Sequence, residues 1–252
     1  MTVLISIITA TKNNIKTIAD TLDSISTQTY PLIDMVWIDG KSTDGTVNIL
    51  EKRYQEDSGT LISEKDSGIY DALNKGLELA KGDVIGFLHA DDVLADNNVI
   101  SDIAEIFLNP EIDVVYGDLE YVKKDNTNHV VRHWKSDSFI QSKLKMGWMP
   151  PHPTVYIRKS VYENIGFFNR DYTISADYDH MLRVFSTSNN LFHYIPRVLV
   201  RMRIGGQSNK SIKNIIKKSL QDYKIIRTNK IGGILTLILK NLRKIKQFDT
   251  KK

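Results

Sequence analysis

The acidic and hydroxyl side chains of this sequence gather where apolar runs stop. In "GFLHADDVLADNN" (86–98) an apolar run ends at Leu88, and His89, Asp91 and Asp92 follow within four positions. Adjacent carboxylates repel each other, and neither is buried cheaply without a partner. An oxygen-rich pair of this kind suits Mg²⁺ or Mn²⁺, which bridge phosphates while taking few protein ligands. Two other runs end in a similar way. "VLISIITATKNN" delivers Thr9, Thr11 and Asn13, and "IDMVWID" delivers Asp39 ahead of "GKSTDGT", where glycines permit a tight turn and Asp44 can bond its local backbone. Further along, "MGWMPPHPTVYIRKS" (146–160) sets His152 among three prolines, a frame expected to be extended rather than helical. "ISADYDHMLRVF" (174–185) offers Asp177 and Asp179 in the first turn of a helix that Ser175 could cap, and capping alone could explain an acid there. Arg201 and Arg203, in "RMRIGGQS", alternate onto one strand face, and guanidinium groups suit phosphate oxygens.

The elements that must position these groups follow from periodicity. Continuous apolar runs at 3–10, 33–39, 83–90 and 111–118 have the composition of strands buried on both faces. Helical patterns lie between them near 14–27, 43–55, 68–80 and 96–107, with Ser42 or Thr43 and Asp96 as candidate caps. Strand alternating with helix implies an α/β fold built on a mostly parallel, Rossmann-like sheet. Ligands of such sheets bind beyond the carboxyl ends of the strands, where the residues above collect. "TATKNN" has neither a GxGxxG nor a lysine-ended phosphate loop, which argues against nicotinamide and ATP-hydrolysing enzymes. A diphosphate bound here would need a metal ion.

Composition narrows the class. The 252 residues are 41% hydrophobic and 25% charged and include no cysteine, so this is an ordinary globular chain without disulfides or thiolate metal sites. The apolar N-terminus has no basic segment or cleavage site and is expected to be a strand, and no apolar run has the length of a membrane span. Residues 1–208 carry 21 Lys and Arg against 28 Asp and Glu, whereas residues 209–252 carry 13 against 2. An acidic body therefore bears a basic tail, with a boundary near Asn209. Ile212, Ile215, Ile216, Leu220 and Tyr223 share one helical face of that tail, and Ile234, Ile238, Leu242 and Ile245 repeat the pattern. The tail could pack on the body or anchor on anionic lipid. Its few aromatics and the acidic body argue against a nucleic-acid partner.

Six segments taken together, "SIITATKNN", "WIDGKSTDGT", "SEKDSGIYDALNKGLELAKGDVIGFLHADD", "MPPHPTVYIRKSVYENIGFFN", "ISADYDHMLRVF" and "RVLVRMRIGGQSN", resemble family 2 glycosyltransferases of GT-A fold. The similarity covers about residues 3–208, and it is greatest to bacterial members that build capsule, exopolysaccharide or O-antigen repeats. It implies a catalytic domain over 1–208, with a nucleotide-sugar half (1–118) and an acceptor half (119–208), followed by a basic amphipathic helical tail (209–252). It implies a metal-dependent, inverting glycosyltransferase of the hexosyltransferase class, using a UDP-sugar or related donor and a lipid-linked saccharide acceptor. Thr9, Thr11, Asp39, Asp66, Asn74 and Asp91 match donor-binding positions, and Asp91 and Asp92 match the motif that holds Mn²⁺ or Mg²⁺. Asp177 matches the catalytic base, with Asp179 as its rival. His152, Arg201 and Arg203 fall where acceptor or diphosphate would lie. His89 stands where many members have an acid, and Ala176 where they have another. The implied location is cytoplasmic, peripheral on the inner face of the plasma membrane. The rival class is a sugar nucleotidyltransferase or a nucleotide-sugar-binding protein without transferase activity; the former would carry a glycine-rich basic loop that is absent here.

Overall fold

A computed structural model of the chain describes residues 2–57, 59–187, 189–205 and 212–243. The β-branched run Ile5–Thr11 forms β1, with all seven residues buried, as expected of a strand covered on both faces. Its alternating side chains feed two cores. Ile8 and Ala10 face one cluster, and Ile5 and Ile7 face the other. With β1, the strands β2 (Ile33–Asp39), β3 (Thr60–Ser63) and β4 (Val84–Phe87) form a parallel set in the order β3-β2-β1-β4.

The sheet continues beyond β4 through strands of mixed direction. β8 (Tyr156–Arg158) is antiparallel to both β4 and β6 (Val114–Lys123). β9 (Phe192–Arg203) runs parallel to β6, and the short β5 (Asp92–Leu94) lies antiparallel to β9. β7 (Asn126–Trp134) pairs with the far end of β6. β6 therefore joins the two expected halves, and the expected division at 118–119 falls inside that strand.

Helices cover both faces. α1 (Ile18–Ser26), α2 (Thr46–Asp57) and α4 (Val99–Phe107) pack on one side; α3 (Ile69–Leu79), α5 (Lys159–Ile165) and α6 (Ala176–Ser186) pack on the other. α3 lies close to β1 because Gly76 has no side chain. A Cβ there would stand 2.4 Å from Ile8 Cγ2.

Several local expectations are corrected. Asp44, rather than Ser42 or Thr43, accepts the Thr46 N–H at the start of α2, at 3.0 Å. Asn98 rather than Asp96 occupies the N-cap position of α4. The proline segment is not wholly extended, since His152–Thr154 makes one 3₁₀ turn. Pro153 fits there because the first N–H groups of a turn have no internal partner to lose.

The tail forms α7 (Ile212–Thr228) and α8 (Ile234–Arg243), which pack on α6 and on the 3₁₀ turn Gln141–Met146. Ile225, Ile226 and Leu237 enter the core. Gln221 Oε1 accepts the N–H groups of Ile174 (3.1 Å) and Ser175 (3.2 Å), a capping role that the Ser175 side chain does not take. The expected boundary near Asn209, and Ile245, lie outside the described residues.

Candidate active site

The tips of β1 and β2 form a tightly bonded shelf. Asp39 ends β2 fully buried, and its carboxylate accepts the Ser42 N–H at 2.9 Å and the hydroxyls of Ser42 (2.5 Å) and Ser63 (2.7 Å). Thr9 lies within β1 with its buried Oγ1 unpartnered by protein, while Thr11 donates to Asn14 Oδ1 at 3.2 Å. Asn13 adopts a left-handed φ of 56° and receives the Thr43 N–H, tying the two loops together. Asp66 lies beside this shelf, where Lys75 Nζ donates to it at 2.6 Å. A Cβ at Gly40 would lie 3.0 Å from Asp66 Oδ2, so glycine at that position keeps the acid next to Asp39. The Asn74 amide bonds the backbone of Phe168, donating to the carbonyl at 2.9 Å and accepting the N–H at 3.0 Å.

The carboxylate pair splits. Asp91, half-buried, ends the loop after β4. Asp92 opens β5 and points inward. It is fully buried, and its Oδ1 accepts the Arg203 N–H at 3.1 Å. Burial, then the negative charge of Asp91, pushes its pKa well above the usual carboxylate range. Its Oδ1 thereby ties β5 to β9, while its buried Oδ2 has no protein partner among the described residues.

The arginines are also committed. Arg203 is buried, its guanidinium donating to the carbonyls of Lys124 (3.0 Å) and Asp91 (2.8 Å) and pairing with Asp20. It positions the backbone of Asp91 while lining the adjoining cleft. Arg201 pairs with Glu120 at 3.3 Å and is not among the cleft-lining residues. Three of the five guanidinium N–H groups of Arg203 are taken by these partners, and of the two arginines only Arg203 lines the cleft.

The cleft encloses about 690 Å³ between the β4 tip and the second half of the chain. His89, His152 and Asp177 line it. The ring of His152 stacks on Phe87 (centroids 5.3 Å apart) and lies 6.4 Å from that of His89. Burial lowers the pKa of both histidines, to about 4 for His152, against an opposing pull from Asp177. Both are neutral near pH 7 and can donate or accept hydrogen bonds without adding charge. Asp91 also acts electrostatically on His89, so the β4 tip and Asp177 face a shared space.

Asp177 sits in the first turn of α6, and its Oδ1 is 3.0 Å from the Tyr70 hydroxyl, which also reaches the Ile174 carbonyl at 2.6 Å. Asp179, the rival, turns away. Arg183 holds it at 3.0 Å and Asn229 at 3.1 Å. Sequence reasoning missed Tyr70, which holds Asp177, and it missed Arg132, Trp134 and the tail residues Lys218, Lys240 and Arg243, which line the cleft. For Tyr70 the only available signal was its place in "DSGIYDALNKG".

Among the described residues no cluster of three or more His, Cys, Asp and Glu side chains could cage a metal. Asp91 with His89 beside it still fits an ion that draws most of its ligands from a diphosphate and water, as Mg²⁺ and Mn²⁺ do.

The comparisons with known proteins agree with this geometry. The family model described as glycosyl transferase family 2 matches residues 6–180. A PGL/p-HBAD biosynthesis glycosyltransferase of Mycobacterium tuberculosis is 32% identical over 220 residues, covering 85% of this chain and 83% of its own. An uncharacterized glycosyltransferase of Haemophilus influenzae is 27% identical, covering 91% and 76%. Among solved structures, S. aureus TarS 1-349 in complex with UDP-GlcNAc superposes with a TM-score of 0.68 at 18% identity, covering 90% of this chain and 65% of that one. The mannosyltransferase PcManGT from Pyrobaculum calidifontis, in complex with GDP-Man and Mn²⁺, gives 0.68 at 19%, covering 96% and 69%. At such identities the structures speak for the fold, which is GT-A, and the chain spans only 39% of the longer TarS chain. The sheet, the cleft and the family match lead to one conclusion: this chain belongs to glycosyl transferase family 2 and is a glycosyltransferase.

Proposed function

We propose that the enzyme transfers a sugar, with inversion, from a nucleotide-diphosphate donor (a UDP-sugar in the first instance) to a hydroxyl of a lipid-linked saccharide. The pathway we assign is assembly of a capsule, exopolysaccharide or O-antigen repeat, on the cytoplasmic side of the plasma membrane. The observation that carries this reading is Asp177, held by Tyr70 on the wall of the cleft that adjoins the β4 tip. Asp177 accepts the proton of the acceptor hydroxyl as that oxygen bonds to the anomeric carbon. The bond from the anomeric carbon to the diphosphate oxygen breaks in the same displacement, and its electrons leave with the nucleoside diphosphate. Neutral His152 and His89 can hydrogen-bond sugar hydroxyls or phosphate oxygens without repelling a cation. Asp91 and Asp92 would hold a divalent ion, with His89 beside them. Such an ion, when bound, would neutralise charge on the leaving diphosphate. Thr9, Thr11, Asp39 and Asp66 form the donor shelf.

The test is a panel of nucleotide sugars screened with and without Mn²⁺ or Mg²⁺ for thermal stabilisation, followed by transfer and determination of the product anomer. Metal-dependent stabilisation by one donor and an inverted product are expected. Retention of configuration, or stabilisation indifferent to metal, would overturn the reading.

A further inference from the structure

The tail helices carry two apolar faces, and only one is covered. Inward, Ile225, Ile226 and Leu237 enter the core. Outward, α7 presents Ile215, Ile216 and Leu220, with Tyr223 beside them. α8 adds Ile234, Leu235, Ile238 and Leu242, and these seven aliphatic side chains are 48–66% exposed. Such a concentration on one helix pair is unlike the scattered apolar residues of an ordinary surface.

The charge around this face is one-sided. Lys213, Lys217, Lys224 and Arg227 are exposed on α7 and recur at helical spacing along the flank of its apolar stripe. The only acid between residues 212 and 243 is Asp222, which is buried and paired with Lys240 at 2.6 Å. No negative side chain of the two helices therefore faces outward. A second copy of this chain would bring like charges together. An anionic lipid surface matches both features, accepting the aliphatic side chains among its acyl chains and the cations at its phosphates.

The same two helices build part of the cleft. Lys218 of α7 and Lys240 and Arg243 of α8 line it. The docking face and the cleft wall are thus different sides of one helix pair, about 10 Å apart. We propose that the outward face of α7 and α8 seats the enzyme on an anionic bilayer, placing the cleft within one helix diameter of the headgroups. A saccharide on a membrane-embedded lipid would reach Asp177 from there. This last step rests on the lipid-linked acceptor proposed above; the docking face itself does not.

The experiment uses the full chain and co-sedimentation with vesicles of phosphatidylcholine alone or mixed with phosphatidylglycerol. The wild type is expected to bind the anionic vesicles, and less so as salt is raised. L220E/L235E should weaken that binding at least about tenfold, because two exposed leucines lose their apolar contact and face anionic lipid. It should leave the melting temperature and transfer to a soluble acceptor unchanged, and L108E, an exposed leucine outside the tail, should bind like the wild type. Equal binding by L220E/L235E and wild type overturns the proposal. So does a wild-type dimer by light scattering that the double substitution dissociates, without vesicle binding. Vesicle binding as expected, with transfer to soluble but never to lipid-linked acceptors, upholds the docking face and sinks the acceptor reading instead.

Discussion

Replacing Lys240 with Met tests whether the tail is an integral part of the catalytic domain. Lys240 Nζ lies 2.6 Å from Asp222 Oδ2 and 3.2 Å from the centre of the Tyr178 ring. The Asp222 side chain is 2% exposed and that of Lys240 11%. Methionine keeps most of the aliphatic stem, so the change removes the charge and little packing. It leaves a carboxylate buried without its cation, a defect that costs about 3–5 kcal/mol. In a domain of this size each kcal/mol moves the melting temperature by about 2–4 °C, so a fall of about 6–20 °C is expected. Adding D222N removes the stranded charge and should recover most of the loss, within about 2 kcal/mol of wild type. Calorimetry or urea denaturation of wild type, K240M and D222N/K240M reads all three. If K240M melts within a degree or two of wild type, or a separate transition for the tail appears, the tail does not fold as part of the domain and the reasoning fails.

Three further outcomes follow from the site. D177N keeps an oxygen to accept from Tyr70 and should preserve stability and donor binding while lowering kcat by at least about 100-fold, and near-normal turnover would remove Asp177 as the base. D91A and D92N should each reduce the metal dependence of donor-induced stabilisation, D92N also altering global stability because Asp92 joins β5 to β9; unchanged metal dependence in both would remove the pair as the metal site. Burial holds His152 near pKa 4 against an unfolded value of 6.5, so its contribution to stability is full above about pH 6.5 and is lost as pH falls toward 4. H152F, measured by denaturant midpoint against pH, should flatten that dependence by about one proton, and an unchanged slope would contradict it.

The strand tips were legible because chemistry and periodicity coincide there. A buried run has to stop at a loop, and Thr11, Asp39 and Asp91 mark those stops. Orientation at the tips was not legible. Asp91 and Asp92 look equivalent in the chain, yet Asp91 lies in the turn before β5, and only pairing of β5 with β9 turns Asp92 onto the Arg203 N–H. Asp177 and Asp179 likewise share a first turn, and it took Arg183 and Asn229 to draw Asp179 away. Asn74 and Arg201 show the same limit, since a polar side chain does not announce in sequence whether protein or ligand will satisfy it. Thr60–Ser63 was missed as a strand because a short, half-exposed edge run has too little apolar pattern.

By itself the sequence determined the α/β alternation, the acidic rim and the basic tail, all of which follow from local periodicity and charge. The tertiary structure decided which face of the tail is covered. The stripe of Ile215, Ile216 and Leu220 that the helical period singles out remains exposed, and Asp222, Ile225 and Ile226 are the residues that pack. Helical period identifies an apolar face but not what lies opposite it, and that depends on long-range contacts with α6 and the Gln141–Met146 turn.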